Sequence, residues 1–399
     1  MNFAKEKEKY RRKLDNLPDI PFPNGIINAA EYFILLVKEG IRRRYGSPSP
    51  KIFIRIQQEM NAILSAGFEK YFLVWWKIAV ICRENEVLYF CSSEANSSII
   101  CYVLEITDID PLEHNLIFEY FFNAYGWGSE NALISFCVSR NIIQYLRDNF
   151  GSECVAMHIN ECNLAEIIIT KKPVDEKEDS FCFIFSMPGE NENDSDWSKF
   201  SLISNSSFHA ISYSDPKTID QVKEDRDEIY SKCHLKKLLG KLDINSFSDL
   251  LIIEAISCFD DDVANEIISD LFKRKTMGYK PLFKGAEKIL DETYGRILFE
   301  EQFILLVQMV TGWDMEKTYR FFLDISYEKT CNVRLEFIEC AKKSGVSPKD
   351  SEELFNTLLE ASDKLMGKAF IIPWVQEIWR KSYLGAHYPD AFISKEIER

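Results

Sequence analysis

Residues 101–136, CYVLEITDIDPLEHNLIFEYFFNAYGWGSENALISF, decide how the rest of the chain is read. Cys101 to Ile106 is apolar on nearly every face, as in a buried helix, and Thr107, Asp108, Asp110 and Pro111 then supply turn and N-cap chemistry. Leu112, Leu116, Ile117, Tyr120 and Phe121 recur at helical spacing, so a second helix is expected from Leu112, capped by Asp108 and Asp110. After Gly126 and Gly128, the run Asn131 to Phe136 reads as a short strand, and SRNIIQYLRDNFG at 139–151 as an amphipathic helix.

Working outward, residues 1–50 form a helical lead-in. A charged helix is followed by a turn at Pro18, Pro21, Pro23 and Gly25, then by AAEYFILLVKEGIRRRYG, closed by Gly46. Arg42, Arg43 and Arg44 at its end suit the helix dipole and a solvated face. Residues 55–87 read as two helices broken at Gly67, with Trp75 and Trp76 as core rather than base-stacking platforms. Apolar runs at 164–170, 181–185 and 199–204 read as further strands, and from 214 onward the pattern is helical throughout. The expected fold is α+β: a mixed sheet with flanking helices over 51–213, then an all-helical region over 214–399.

A chain of 399 residues, 46% hydrophobic and 13% aromatic, can build two or three cores. No run of eighteen apolar residues occurs and the N-terminus has no apolar signal region, so a cytoplasmic location and eleven reduced cysteines are expected, with no membrane partner. None of the cysteines forms a CxxC pair. The histidines lie apart at 114, 158, 209, 234 and 387, so no metal or other cofactor is expected and Cys233-His234 reads as structural. The formal charge is −15, unlike a protein that coats duplex DNA through phosphate contacts. Ten Lys/Arg against six Asp/Glu in residues 1–50 contrast with eight acids and one lysine in 175–196.

ITDIDPLEHNLIFEYFFN at 106–123 resembles ITDIDPL…NLLFERFLNPER, the segment that precedes the catalytic strand in the palm of the bacterial DNA polymerase III alpha subunit, the C-family DNA polymerases. Further on, KKLLGKLDINSFSDLLIIEA at 236–255 and KILDETYGRILFEEQFILLVQMVTGW at 288–313 resemble that family's fingers, and the likeness runs over about 17–399. The resemblance implies a nucleotidyltransferase-type palm followed by a fingers-like helical region.

The same resemblance implies that the chemistry is missing. Counting back from Phe136, the family's two metal-binding aspartates fall on Leu133 and Ser135, and the third, in the strand matched by WSKFSLIS, falls on Ser201. Where the family has GPGRGSAAGS around the triphosphate, this chain has LYFCSSEANSSII at 88–100, with Ser92 at the arginine position, Glu94 at the following serine position and no glycine. The RPGPL loop is replaced by Cys258-Phe-Asp-Asp-Asp262, whose acids read best as a helix N-terminus. Lys368 survives from a motif whose histidine position is Phe370, and Met157 to Cys162 leave no room for a helical thumb.

No catalytic residue is therefore assigned. The expected function is that of a polymerase-like binding or scaffold module in DNA replication or repair, with a protein partner and without a bound nucleotide. Two alternatives stand beside it. One is a nucleic-acid module gripping through Lys236, Lys237, Lys273, Arg274, Lys275 or Lys368; the other is an active polymerase with relocated metal ligands.

Overall fold

Asn28 and Gly46 bracket the first long helix. The Asn28 side chain accepts the Glu31 N–H at 2.9 Å at the start of α1 (Ala29–Tyr45), and Gly46 closes its end at positive φ. Helix α2 (Pro50–Ala66) has Ser49 as N-cap and stops at Gly67, whose φ of 74° lets its N–H reach the carbonyls of Ile63 and Leu64. Helix α3 (Glu69–Glu84) follows, carrying the aromatic density read from the sequence. The computed structural model describes residues 11–122, 134–159, 164–173, 181–186, 212–229, 244–325 and 334–389. The chain divides into two compact units, Met1–His209 and Ala210–Arg399.

The first unit holds one mixed sheet of β1 (Tyr89–Cys91), β2 (Ser135–Val138), β3 (Val155–Ile159), β4 (Ala165–Ile169) and β5 (Cys182–Ser186), in the order β1-β2-β5-β4-β3. Strand β2 runs antiparallel to β1 and parallel to β5, while β4 is antiparallel to both β5 and β3. Trp75 of α3 is fully buried, its ring 4.8 Å from Phe136 and 5.2 Å from Phe183, so the helix is pinned to the middle of the sheet. Side chains of this size each contribute roughly 1.5–3 kcal/mol on burial. Trp76 is half-buried and meets Tyr32 edge-on.

Three local expectations are corrected. The helix expected from Leu112 begins only at Phe118, as the single turn α5 (Phe118–Phe121). Asn115 sits at φ 55°, in the left-handed region that interrupts a helix, and the Leu116 N–H closes back on the Pro111 carbonyl at 2.8 Å. Asp110 accordingly caps a turn, taking the Leu112 N–H at 2.9 Å and the Tyr45 hydroxyl at 2.7 Å. Asp108 pairs with Arg44 at 3.1 Å, and that guanidinium lies 4.4 Å from the Tyr102 ring centroid, so Arg44 is held inside the unit while Arg42 and Arg43 stay exposed at the end of α1 as expected. The connection at Met157 to Cys162 opens as strand β3, because Val155, Met157 and Ile159 alternate with smaller or polar residues in the period of a strand. The strands read at 164–170 and 181–185 are β4 and β5; the one read at 199–204 lies outside the described residues, as does most of the acidic 175–196 stretch.

The helix at 139–151 is observed as α6 (Ile143–Phe150), and the apolar run before Ile106 as α4 (Ile99–Val103). Gly40 lets α1 approach α4: a Cβ there would run into the Val103 carbonyl. The second unit, in its described residues, consists of helices. They are α7 (Pro216–Ile229), α8 (Phe247–Ser257), α9 (Asp261–Met277), α10 (Glu287–Leu290), α11 (Glu300–Thr311), α12 (Met315–Leu323), α13 (Arg334–Lys343), α14 (Pro348–Ala361) and α15 (Lys368–His387). The apolar faces of α8 and α15 meet at Trp379, which is fully buried against Phe247.

Candidate functional site

Ser92 and Ser135 stand side by side because β1 and β2 pair in register with Cys91 opposite Phe136. The Ser92 N–H donates to the Ser135 carbonyl at 3.0 Å, and the two hydroxyls share a hydrogen bond of 2.9 Å. Ser93 then caps a short 3-10 turn, Glu94–Ser97, its Oγ accepting the Ala95 N–H. Buried Asn96 ties the turn down by donating to the carbonyls of Cys91 (3.0 Å) and Ser93 (2.7 Å), and Thr107 donates to its Oδ1. Ser92, Ser93 and Asn96 are thus bonded within this region, while the Ser97 hydroxyl is buried with no hydrogen-bond partner among the described residues.

Glu59 holds the far side. It is fully buried in α2, between Ile56 and Ile63 on the helix's apolar stripe. Its carboxylate accepts from Arg55 Nε at 2.5 Å, the Ser98 hydroxyl at 2.7 Å, and the N–H groups of Ile99 and Ile100 at 3.2 Å, thereby capping α4. Burial pushes its pKa up, against the pull of Arg55 and the capping donors. Arg55 also donates to the carbonyls of Ser97 (2.8 Å) and Leu116 (3.2 Å), fastening the 3-10 turn to the segment after Pro111. Glu94 is half-buried with its pKa raised by burial, and Cys91 is a buried thiol pushed up to about 11.

A divalent cation does not fit the Ser92–Ser135 pair. Both groups are neutral and already satisfied by one another, and among the described residues no group of three His, Cys, Asp or Glu side chains could hold a metal ion. Leu133 and Ser201 lie outside the described residues.

In the second unit, Asp260 is the N-cap of α9, accepting the Val263 N–H at 3.2 Å, with Asp261 and Asp262 in the first turn and Cys258 exposed at the end of α8. These acids are spent at a helix start, where the dipole favours them. Lys368 opens α15 but is 2% exposed. Its ammonium meets both Glu292 oxygens at 2.8 and 2.7 Å and lies 5.6 Å from the Phe299 ring centroid. Buried Glu301 caps the same helix, accepting from the N–H groups of Lys368 (2.9 Å) and Ala369 (3.0 Å).

The other candidate cations are distributed differently. Lys275 pairs with Asp249 at 2.9 Å, and Arg274 with Asp270 at 2.8 Å. Lys273 is exposed, while Lys236 and Lys237 lie outside the described residues. A cavity of about 400 Å³ beside α9 is lined by Arg274, Arg296 and Lys364, but Asp270 and Glu266 already bridge these.

Residues 31–170 match the model of the bacterial DNA polymerase III alpha NTPase domain, and residues 201–345 that of the bacterial DNA polymerase III alpha subunit finger domain. The chain is a relative of the bacterial DNA polymerase III alpha subunit. It is 22% identical over 489 aligned residues to that subunit from Bacillus subtilis, covering 94% of this chain and 44% of the relative. Against the Borreliella burgdorferi subunit it is 35% identical over 146 residues, 36% of this chain and 13% of the relative. An error-prone DNA polymerase of Mycolicibacterium paratuberculosis is 32% identical over 148 residues, again 36% and 13%. The chain thus spans less than half the length of these curated relatives.

Seen as a DNA polymerase III alpha relative, the first unit has a mixed five-stranded sheet of the α+β kind expected and puts two hydroxyls where the resemblance expects an arginine and an aspartate. Sequence reading found those positions and missed the groups that fix them. Glu59 had a signal, an acid in the middle of an apolar stripe four residues after an arginine. Glu292 and Glu301 had none, because their partner Lys368 lies 76 and 67 residues away.

Proposed function

We propose that the chain is a DNA polymerase III alpha-like protein that acts as a binding or scaffold module in DNA replication or repair and does not itself transfer nucleotides. The observation that carries this reading is the direct hydroxyl contact between Ser92 and Ser135 at 2.9 Å. Two-metal phosphoryl transfer needs carboxylates that hold cations against both the attacking and leaving oxygens, and a serine pair bonded to itself offers neither charge nor open coordination. A protein partner suits the net charge of −15 better than a nucleic acid does. The ion pairs of Arg274, Lys275 and Lys368 point the same way, since pairing reduces what these cations offer a phosphate. No described helix is long and apolar enough to cross a membrane.

The test is magnesium-dependent primer extension, run on the chain and on its Leu133→Asp, Ser135→Asp, Ser201→Asp variant, with isothermal titration of each deoxynucleotide beside it. No extension by either chain and no heat of nucleotide binding are expected, because Ser92, Ser135 and Asn96 are committed to internal bonds. Extension by the unmodified chain would overturn the reading in favour of relocated ligands. Extension by the variant alone would mean that the substrate path is intact and favour the nucleic-acid module. Affinity capture then names the protein partner.

A further inference from the structure

We infer that β3 is a self-association edge, where two copies of this chain join their sheets across a two-fold axis at Met157. Strand β3 is the last in the order β1-β2-β5-β4-β3, and among the described residues only β4 pairs with it. The Thr170 N–H donates to the Cys154 carbonyl at 3.0 Å, which fixes the phase of the ladder: residues 154, 156 and 158 turn their backbone groups toward β4. Val155, Met157 and Ile159 therefore turn their N–H and C=O groups outward. A row of such groups selects its ligand by chemistry, because only another extended backbone satisfies donors and acceptors at this spacing.

The side chains say which strand. Met157 and Ile159 are 39% and 47% exposed although their register partners on β4, Ile167 and Ala165, are buried. The apolar face of the sheet thus extends past the core. Natural sheets guard a free edge with charge or proline, and β3, reading VAMHI, has neither Asp, Glu, Lys, Arg nor Pro.

Those three outward residues are also symmetric about Met157. In an antiparallel pairing of two copies, Met157 lies opposite its own counterpart and Val155 opposite Ile159, so each outward residue meets another outward residue and apolar meets apolar. For a chain of charge −15, an uncharged strand is a place where two copies can approach without like charges in contact. A strand of five residues makes a small interface, so the association is concentration-dependent and weak rather than permanent.

Sedimentation velocity of the full chain over a concentration series tests this. The chain should pass from monomer to dimer in the micromolar range, and Met157→Lys and Met157→Glu should each weaken the dimer by at least about tenfold by setting like charges face to face at the axis. Circular dichroism of both variants should match the parent, since the replaced side chain is exposed. An equimolar mixture of the Met157→Lys and Met157→Glu chains should recover the dimer, as opposite charges then face each other. A chain that stays monomeric throughout the series would overturn the inference. So would a dimer that ignores both substitutions, or variants whose mixture does not reassociate.

Discussion

The 3-10 turn after β1 and the start of α15 hold their polar side chains in opposite ways. At the first, the hydroxyls of Ser92 and Ser135 are neutral and bonded to each other, next to the half-buried Glu94 that opens the turn. At the second the cation is kept, but Lys368 is buried and neutralised by both oxygens of Glu292. The difference matters energetically. A neutral pair can be altered at the cost of one hydrogen bond, whereas for the pair at Lys368 the cost depends on which member goes, since only the lysine is fully buried.

The sharpest way to test that contrast is to remove Glu59, the buried acid behind the neutral site. Glu59→Ala takes the carboxylate from half-buried Arg55 and from the Ile99 and Ile100 N–H groups, leaving Ser98 to cap α4 alone, and should cost about 3 kcal/mol in urea unfolding. A loss under about 1 kcal/mol would show that the turn does not depend on this network. At the charged site the asymmetry itself is the prediction. Glu292→Ala should cost about 3 kcal/mol because it leaves a buried ammonium, while Lys368→Met should cost under about 1 kcal/mol because Glu292, 28% exposed, can turn to water. Equal losses would break the distinction.

A smaller effect is expected at the neutral pair. Ser135→Asp should lower stability by about 1–2 kcal/mol, since a partly buried carboxylate replaces a satisfied hydroxyl, and magnesium should not restore the melting temperature. Recovery with magnesium would mean that the site still gathers a cation. The smallest effect concerns another kept charge in the second unit. Asp215 is hydrogen-bonded by His387 at 2.8 Å and by Thr218, first His387 and then Thr218 holding its pKa down at about 2. A depressed carboxylate stabilises the fold above its unfolded value near 3.8 and loses that contribution as pH falls toward 2. Asp215→Asn should therefore flatten the acid limb of the stability curve between about pH 4 and 2. An unchanged acid limb would remove Asp215 from the set of paired charges.

Periodicity and capping chemistry in the sequence were sufficient for α1, α2 and α3, for the break at Gly67, and for strands β4 and β5, because each rests on residues within a turn or two of one another. The role of Asp260 at the start of α9 was legible for the same reason. The resemblance also singled out Ser92 and Ser135 as the positions where an arginine and an aspartate are expected. Only the tertiary structure brought them into contact, since 43 residues separate them and β-strand register, not local pattern, sets their distance. The same holds for Asp108, read as a cap but paired with Arg44 of α1, and for Lys368, read as a candidate nucleic-acid contact but paired with Glu292. A side chain's type is written in the sequence; whether its charge is available depends on which partner the fold delivers, and that is a long-range property.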